Sequence, residues 1–236
     1  MKRLTLLWIT LLLIGMSAAS GADGGPRADA AWRSDFSDPE ELRKEWKFDG
    51  AKLFIPRTKF FLADEPTAAN GRVLVIEAPR ATGLLLAAPA VDLAKTPIMR
   101  WRWRVVRPLA LRENEPEVDD QAAVIYFGDG NLVRQKSIGY RWEHHTPVGC
   151  ETILQYAAGT MTVHAYCVAN RQTPPGVWRV EEHDTVADFK AAYGVEPNPY
   201  FIISIGGNSQ YSKSDTRAEI DFIEFVPRTP PEEAQP

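Results

Sequence analysis

Three arginines alternate with large apolar residues in the segment MRWRWRVV at 99–106. In a strand, Arg100, Arg102 and Arg104 would project from one face, because successive side chains point to opposite faces. Such a row of guanidinium groups matches the carboxylates of an acidic sugar. It also matches a cross-strand ladder of ion pairs with Glu143, Asp120 or Glu181. The ladder is the favoured interpretation, and Arg102 and Arg104 stay candidate ligand-binding residues.

A polar segment that begins with two glycines, GGNSQYSKSDT at 206–216, precedes the last predicted strand. Its Asn208 and Gln210 side chains offer donors and acceptors to sugar hydroxyls, although an ordinary solvated turn has the same composition. Upstream, Tyr140 and Trp142 are candidates for an aromatic platform that stacks on a sugar. Tryptophans of a sandwich belong more often to its core. These four residues complete the candidate ligand-binding set.

Acidic and imidazole side chains are grouped at two points, Asp119-Asp120 and Glu143-His144-His145. Carboxylates suit calcium and imidazoles suit zinc. Neither group has a recognised ligand spacing, and adjacent residues of a strand point to opposite faces, so both histidines do not easily reach one ion. We predict no metal site. The sequence also lacks a nucleophile elbow, an HExxH motif, a P-loop and a dinucleotide fingerprint, and we predict no cofactor.

The two cysteines flank a predicted hairpin, in which segments 150–156 and 161–167 surround the tetrapeptide AAGT. A turn at Ala158-Gly159 places Cys150 opposite Cys167, and the same register separates polar from apolar side chains. Counting from the turn puts the cysteines at a non-hydrogen-bonded pair, where Cα atoms approach to about 4.5 Å. Because a disulfide tolerates that distance, we predict a Cys150–Cys167 disulfide, with two free thiols as the alternative.

Short runs with alternating apolar residues recur along the chain between turn residues. We predict strands at 72–78, 99–106, 121–128, 138–144, 151–156, 161–168, 200–207 and 218–226. Many short strands of period two are typical of a sandwich or barrel. The predicted fold is therefore all-β: a two-sheet antiparallel sandwich, jelly-roll-like, with two short helices.

The two predicted helices carry capping residues. The segment 37–46 opens with Ser37 and has Glu40 three residues later, which is a capping box. The segment 185–193 has Thr185 and Asp188 in the same relation, and Gly194 is expected to end that helix.

The last predicted strand, 217–225, is expected to pair with the first strand of the domain near 32–36. Strict alternation puts Ile220 and Phe222 on one face and Phe225 on the other. We expect Ile220 and Phe222 to face the core, and a twist or bulge to return Phe225 to it.

The N-terminus has the pattern of a signal peptide. Lys2 and Arg3 precede an apolar run at 4–14, shorter than the roughly 20 residues of a membrane span. We predict a leader at 1–22, one β-sandwich domain at 23–226 and a disordered, proline-rich tail at 227–236. The protein is then periplasmic or secreted, with no transmembrane segment after cleavage. A formal net charge of -4 disfavours nucleic acid as a partner.

The chain from Pro97 onward resembles an uncharacterised bacterial family, domain of unknown function 3047. The features that carry the resemblance are WRWRV at 101–105, Asp119-Asp120 before an apolar strand, Gly139-Tyr140 with Trp142, the run 178–194 and IDFIEF at 220–225. The resemblance implies one globular exported domain, but no activity or catalytic residues. The layout is also similar to sugar-binding jelly rolls, with Asp35-Phe36 near the start and an IDxIxF last strand, which is a fold-level analogy.

Polar loops, aromatic content and the lack of a catalytic motif indicate a non-catalytic module that binds carbohydrate or envelope polysaccharide. The alternative is an enzyme, a lyase or hydrolase, that acts on an acidic polysaccharide. There Arg102 or Arg104 would neutralise the uronate, and Tyr140 or His144 would act as acid or base. Geometry separates the two, because the enzyme needs those residues in one cleft. A structural envelope protein that recognises another protein is a third hypothesis.

We expect the exported protein to begin near Ser20 or Asp23, because small residues follow the apolar run there. Intact-mass measurement of material from an exporting host should show that the leader is missing. A mass that retains Met1 would contradict the predicted export.

Overall fold

The computed structural model describes residues 24–50, 54–131 and 134–229. The predicted leader at 1–22 and the tail from 230 onward lie outside the described residues. Within the described ranges, no helix is long and apolar enough to cross a membrane.

The described chain forms strands, two helices and one 3₁₀ turn. The strands are β1 (Trp32–Ser34), β2 (Lys47–Asp49), β3 (Lys59–Asp64), β4 (Arg72–Pro79), β5 (Thr82–Ala87), β6 (Ile98–Arg107), β7 (Gln121–Asn131), β8 (Arg134–Trp142), β9 (Glu151–Tyr156), β10 (Met161–Ala169), β11 (Arg179–Asp184), β12 (Ile202–Asn208) and β13 (Asp215–Val226). The helices are α1 (Pro39–Glu45) and α2 (Thr185–Tyr193), and the 3₁₀ turn is Ala157–Gly159.

The strands form two sheets, which confirms the predicted sandwich. Sheet A has the order β11-β6-β13-β4-β3, with β1 also paired to β13. Sheet B has the order β2-β5-β12-β7-β8-β10-β9. The sheets are mainly antiparallel as predicted, with one exception, since β8 and β10 run parallel. This follows from the topology, because β10 rather than β9 lies beside β8.

Aromatic side chains from both sheets fill the space between them. In sheet A, β6 directs Trp101 and Trp103 inward, while β8 of sheet B directs Tyr140 and Trp142 toward them. The rings of Trp103 and Trp142 have centroids 5.7 Å apart in an edge-to-face arrangement. Burial of this large apolar surface is the dominant favourable term for the fold.

The pairing of the first and last strands is confirmed, with Trp32 opposite Phe225. The expected bulge is also present, because the β13–β6 register shifts between Ile220 and Phe222. The shift returns Phe225 to the core. Phe222 was predicted to face the core, and this prediction is wrong. Its side chain is buried on the outer face of sheet A, where the Arg100 guanidinium lies 5.2 Å from its ring.

The arginines of β6 form the favoured ion-pair ladder on the outer face of sheet A. Their carboxylate partners come mainly from β13. The shortest pairs are Arg100–Glu224 at 2.7 Å, Arg102–Asp221 at 2.6 Å and Arg104–Glu65 at 2.5 Å, with Glu219 2.6 Å from Arg104. The predicted partners Glu143, Asp120 and Glu181 were wrong, because sequence alone did not reveal that β13 lies beside β6.

Both predicted helices are present, but an aspartate caps each of them. Asp38 accepts a hydrogen bond from the backbone N–H of Glu40, so the Ser37 capping box is wrong. Asp184 accepts from the backbone N–H of Ala187 and replaces the predicted Thr185 cap. Gly194 ends α2 as expected, with a φ of 70° that favours glycine.

The cysteine hairpin has the predicted register, with Tyr156 opposite Met161 and Leu154 opposite Val163. The predicted Cys150–Cys167 disulfide is nevertheless wrong, since both thiols are free. The backbone N–H groups of Gly149 and Cys167 bond to Cys167 and Cys150 carbonyls respectively. Residues 149 and 150 thus both oppose the single residue Cys167, which is a β-bulge. The bulge leaves Cys150 exposed while Cys167 stays buried.

We expect Glu224→Ala to lower the free energy of unfolding by about 3–5 kcal/mol, because it leaves the buried guanidinium of Arg100 without its closest carboxylate. Urea denaturation would measure the change. The matched control is Glu40→Ala, which breaks an exposed pair with Arg43 and should cost less than about 1 kcal/mol. Equal losses in the two variants would contradict the assigned role of Glu224.

Candidate binding cleft

A cleft of about 310 Å³ lies on the outer face of sheet B. Strands from β2 at one edge to β9 at the other contribute to it. The lining combines polar and apolar side chains: Asp49, Thr82, Leu84, Leu86, Asp119, Gln121, Tyr126, Gln135, Ser137, Tyr156, Met161, Val163, Ile202, Ser204 and Asn208. Concave sites with an apolar surface and a few convergent polar groups are typical ligand sites.

One cross-strand row defines the floor of the cleft. Leu86, Ser204, Tyr126 and Gly139 are register partners across β5, β12, β7 and β8. A Cβ atom at position 139 would lie only 2.6 Å from Cε1 of Tyr126. Glycine at this position therefore gives the Tyr126 ring room to lie across the neighbouring strand.

A buried arginine anchors one end of the cleft. The Arg141 guanidinium donates to Asp119 Oδ1 at 2.8 Å and to Gln121 Oε1 at 2.6 Å. Its other terminal nitrogen lies 3.1 Å from the buried Glu143 carboxylate. Two carboxylates thus oppose the charge of one buried guanidinium, so this end of the cleft carries no excess of positive charge.

Asp119 links segments that are remote in the sheet. Its Oδ2 accepts a 2.7 Å hydrogen bond from the Tyr156 hydroxyl, and its backbone carbonyl accepts one of 2.8 Å from Asn208 Nδ2. Strand β9, which carries Tyr156, lies three strands away from β7, which follows Asp119. Neighbouring strands are about 4.8 Å apart, so this contact requires a curved sheet whose edge approaches its own face.

The tyrosines of the cleft are hydrogen-bonding groups rather than charges. Burial raises the pKa of Tyr126 above its ordinary value, and the Asp119 and Glu143 carboxylates add to that effect. Burial also raises the pKa of Tyr156, with the neighbouring Tyr126 and the bond to Asp119 acting in the same direction. Both hydroxyls are therefore protonated at neutral pH.

The structure does not bring the predicted ligand-binding residues together. Asn208 lines the cleft, and Gln210 follows it at the same end, where its Nε2 is buried without a hydrogen-bond partner among the described residues. Tyr140 and Trp142 belong to the core instead of a rim. Arg102 and Arg104 lie in sheet A, where the Trp178 ring covers both guanidinium groups at 4.8 and 4.3 Å.

The residues of the enzyme hypothesis are likewise dispersed. Burial and the Asp188 carboxylate raise the pKa of Tyr140 well above its ordinary value, so this hydroxyl is protonated at neutral pH. Burial and the adjacent His145 lower the pKa of His144. Arg102 and Arg104 are paired in the other sheet. The arrangement which that mechanism requires is absent from the described part of the chain.

Of the groups considered for metal binding, Asp120 and the backbone of His145 have structural contacts, whereas Nδ1 of His144 is buried without a hydrogen-bond partner among the described residues. The Asp120 carboxylate accepts from the backbone N–H groups of Tyr211 and Ser212, at 3.0 and 2.6 Å. Glu117 accepts from the backbone N–H of His145 and, at 2.8 Å, from that of Thr146. These carboxylates fasten loops at the ends of strands.

Sequence reasoning missed Tyr126, Arg141 and Asp119 as residues of the cleft. A signal was present, because Tyr126 alternates with core residues in AAVIYFG and Arg141 lies between Tyr140 and Trp142. Both residues are therefore on the face of sheet B opposite the core. The sequence did not show that this face is concave.

The family of the chain follows from a comparison with known protein families. The family "Protein of unknown function (DUF3047)" matches residues 44–224, which is most of the chain. The protein belongs to this family. A comparison with curated proteins finds no match.

Several solved structures are similar to this member of the DUF3047 family. The carbohydrate esterase of Shiga toxin-encoding bacteriophage phi24B is 9% identical, with 85% of this chain and 99% of that chain covered and a TM-score of 0.46. A mannan-recognising carbohydrate-binding module is 14% identical, with 85% and 98% covered and a TM-score of 0.33. A family 12 xyloglucanase from Bacillus licheniformis is 9% identical, with 78% and 99% covered and a TM-score of 0.37.

We expect Asp119→Asn to lower the free energy of unfolding by about 1.5–3 kcal/mol, because its carboxylate bonds to a buried charged group. Tyr156→Phe should cost about 1 kcal/mol, since it removes one neutral donor. Urea denaturation of both single variants and the double variant measures their coupling. Additive losses would show that the Tyr156–Asp119 contact is not formed in solution.

Proposed function

We propose that the sheet B cleft binds a neutral polysaccharide and that the protein is a non-catalytic binding module. The observation that carries this proposal is the combination of the Tyr126 ring, lying over Gly139, with amide and hydroxyl side chains around it. A pyranose ring presents an apolar C–H face and neutral hydroxyl groups, and an aromatic face with neutral polar groups complements both.

The polar lining suits hydroxyl groups on a ligand. Gln121, Gln135, Ser137, Ser204 and Asn208 each carry both a donor and an acceptor, and so does every sugar hydroxyl. Apolar side chains lie between them: Leu84, Leu86, Met161, Val163 and Ile202. They match the C–H faces of pyranose rings, which gain from leaving water.

The charges of the cleft support a neutral ligand over an acidic one. The guanidinium group of Arg141 is already opposed by Asp119 and Glu143, at 2.8 and 3.1 Å. An added uronate would meet these carboxylates without an uncompensated cation, which is unfavourable. An acidic polysaccharide is therefore the weaker candidate.

The carboxylates of the cleft support binding rather than hydrolysis. Glycoside hydrolysis in most families needs two carboxyl groups that flank the scissile bond. Asp49 and Asp119 are the carboxylates that line the cleft among the described residues. Both oxygens of Asp119 are engaged, one by Arg141 and one by Tyr156. Such a carboxylate is held as a structural acceptor.

The predicted leader is consistent with this role. Envelope and extracellular polysaccharides lie outside the cytoplasm, so a module that binds them has to be exported. We therefore keep a periplasmic or secreted location as part of the proposal.

We expect the leader-free protein to be retarded in native gels that contain galactomannan or hydroxyethylcellulose, and not in gels that contain alginate. Tyr126→Ala should weaken the retardation at least tenfold in apparent affinity, or about 1.4 kcal/mol. Gly139→Ala should weaken it as well, because a methyl group there displaces the Tyr126 ring.

The matched control is Phe61→Ala, which removes an exposed aromatic ring from β3 in the other sheet and should leave retardation unchanged. Retardation by alginate alone would favour the acidic-polysaccharide hypothesis. Retardation that survives both cleft variants would place the binding surface elsewhere and refute the proposal.

A further inference from the structure

Strand β11 breaks the inside-outside pattern of the sandwich. It is an edge strand of sheet A, and its register pairs Arg179 with Trp103, Glu181 with Trp101 and His183 with Met99. Those β6 partners are buried core residues. Opposite residues of an antiparallel pair project from the same face, so the three polar side chains point between the sheets. Apolar Val180, by contrast, points outward.

The inward polar row meets further polar groups from the facing elements. His183 stacks on Trp101 with ring centroids 5.4 Å apart and lies 4.2 Å from the Tyr140 ring. Its Nδ1 is 3.5 Å from Oδ2 of Asp188 in α2, which also accepts a 2.7 Å bond from the Tyr140 hydroxyl. A carboxylate on one ring nitrogen fixes the orientation of the imidazole.

These groups line an open cavity of about 540 Å³ at the edge of the sandwich. Tyr166 and Cys167 of β10 complete its wall from sheet B. Burial, together with the Glu151 carboxylate, raises the pKa of Tyr166 to about 12, so its hydroxyl is protonated at neutral pH. Burial likewise raises the pKa of Cys167 to about 12, so this thiol is uncharged.

An inward charge on an edge strand also discourages pairing with another sheet. Protection of an edge strand from such pairing requires neither a cavity nor a carboxylate that orients an imidazole. On β11, three core-facing positions in a row carry polar residues, whereas folding favours apolar residues at such positions. Departures of this kind are expected at sites where a protein binds a ligand.

We propose that this edge cavity is a second binding site, which takes a single neutral sugar residue or the end of a glycan chain. In the polar row, Arg179 Nε donates to Glu181 Oε1 at 2.9 Å. The other guanidinium N–H groups, the second Glu181 oxygen and the His183 ring complete the row, and each sugar hydroxyl is both donor and acceptor. The Tyr166 ring offers an apolar surface beside them. Asp188 adds a carboxylate, so acidic groups outnumber the guanidinium and disfavour a uronate.

The site is separate from the cleft of the proposed function. Met161 and Val163 of β10 line the cleft on the outer face of sheet B, whereas Tyr166 lies on the inner side, beside Tyr140. The inference therefore does not rest on the cleft, and variants of each site report on it independently.

The test is saturation-transfer difference NMR on the leader-free protein with methyl glucoside, methyl galactoside and methyl mannoside, and with glucuronate as the acidic probe. We expect at least one neutral glycoside to show saturation transfer. Glu181→Gln and His183→Gln should each raise its Kd at least fivefold, because each removes or displaces a hydrogen-bonding group that faces the cavity. Glucuronate should show weaker transfer.

The controls separate the two sites. Val180→Thr alters the opposite face of the same strand and should change the Kd less than twofold. Phe61→Ala lies outside both sites and should also leave it unchanged. Gln135→Ala alters the cleft. Loss of transfer in Gln135→Ala but not in Glu181→Gln would place the sugar in the cleft, which overturns this inference and leaves the proposed function intact. Absence of transfer from all three glycosides, or a preference for glucuronate, would overturn it too.

Discussion

A guanidinium group buried in sheet B must be met by carboxylates, and much of the cleft follows from that requirement. Arg141 is on β8, and its compensating groups come from elsewhere: Glu143 just beyond the strand and Asp119 from the segment before β7. Leaving such a charge unpaired would cost several kcal/mol. Asp119 is therefore held in place, and through it the edge strand β9 and the end of β12 are held as well.

The three faces of the sandwich carry different chemistry because strand side chains alternate. The outer face of sheet A is closed by the arginine ladder and its carboxylates. The interior is filled by aromatic rings. The outer face of sheet B is concave and carries amides, hydroxyls, the tyrosines Tyr126 and Tyr156 and the carboxylates of Asp49 and Asp119. At β11 the inward side chains Arg179, Glu181 and His183 are polar, and they line a second cavity at the open edge of the sandwich.

Much of the fold was predictable from local patterns. The alternation in WRWRV assigned inner and outer faces correctly, and the AAGT turn set the hairpin register. The bulge near Asp221 was expected from the mismatch between Ile220 and Phe225. The predicted N-cap residues of the two helices are wrong, because serine, threonine and aspartate at adjacent positions can each cap a helix. In the structure, Asp38 and Asp184 are the caps. The predicted disulfide is wrong because a bulge at 149–150 turns Cys150 outward, and no local sequence pattern predicts that bulge.

The sequence by itself determined the all-β class, the positions of most strands and the faces of β6, since period-two alternation and turn residues are local properties. It did not predict β2, β3, β5 or β11. Only the tertiary structure decided which residues form a site. Arg102 and Arg104 are paired within sheet A because β13 supplies Asp221 and Glu219, and the Tyr126 ring lies in the cleft because Gly139 of the next strand leaves room for it. Such contacts join residues remote in sequence, and they depend on strand order and sheet curvature, which a local pattern does not encode.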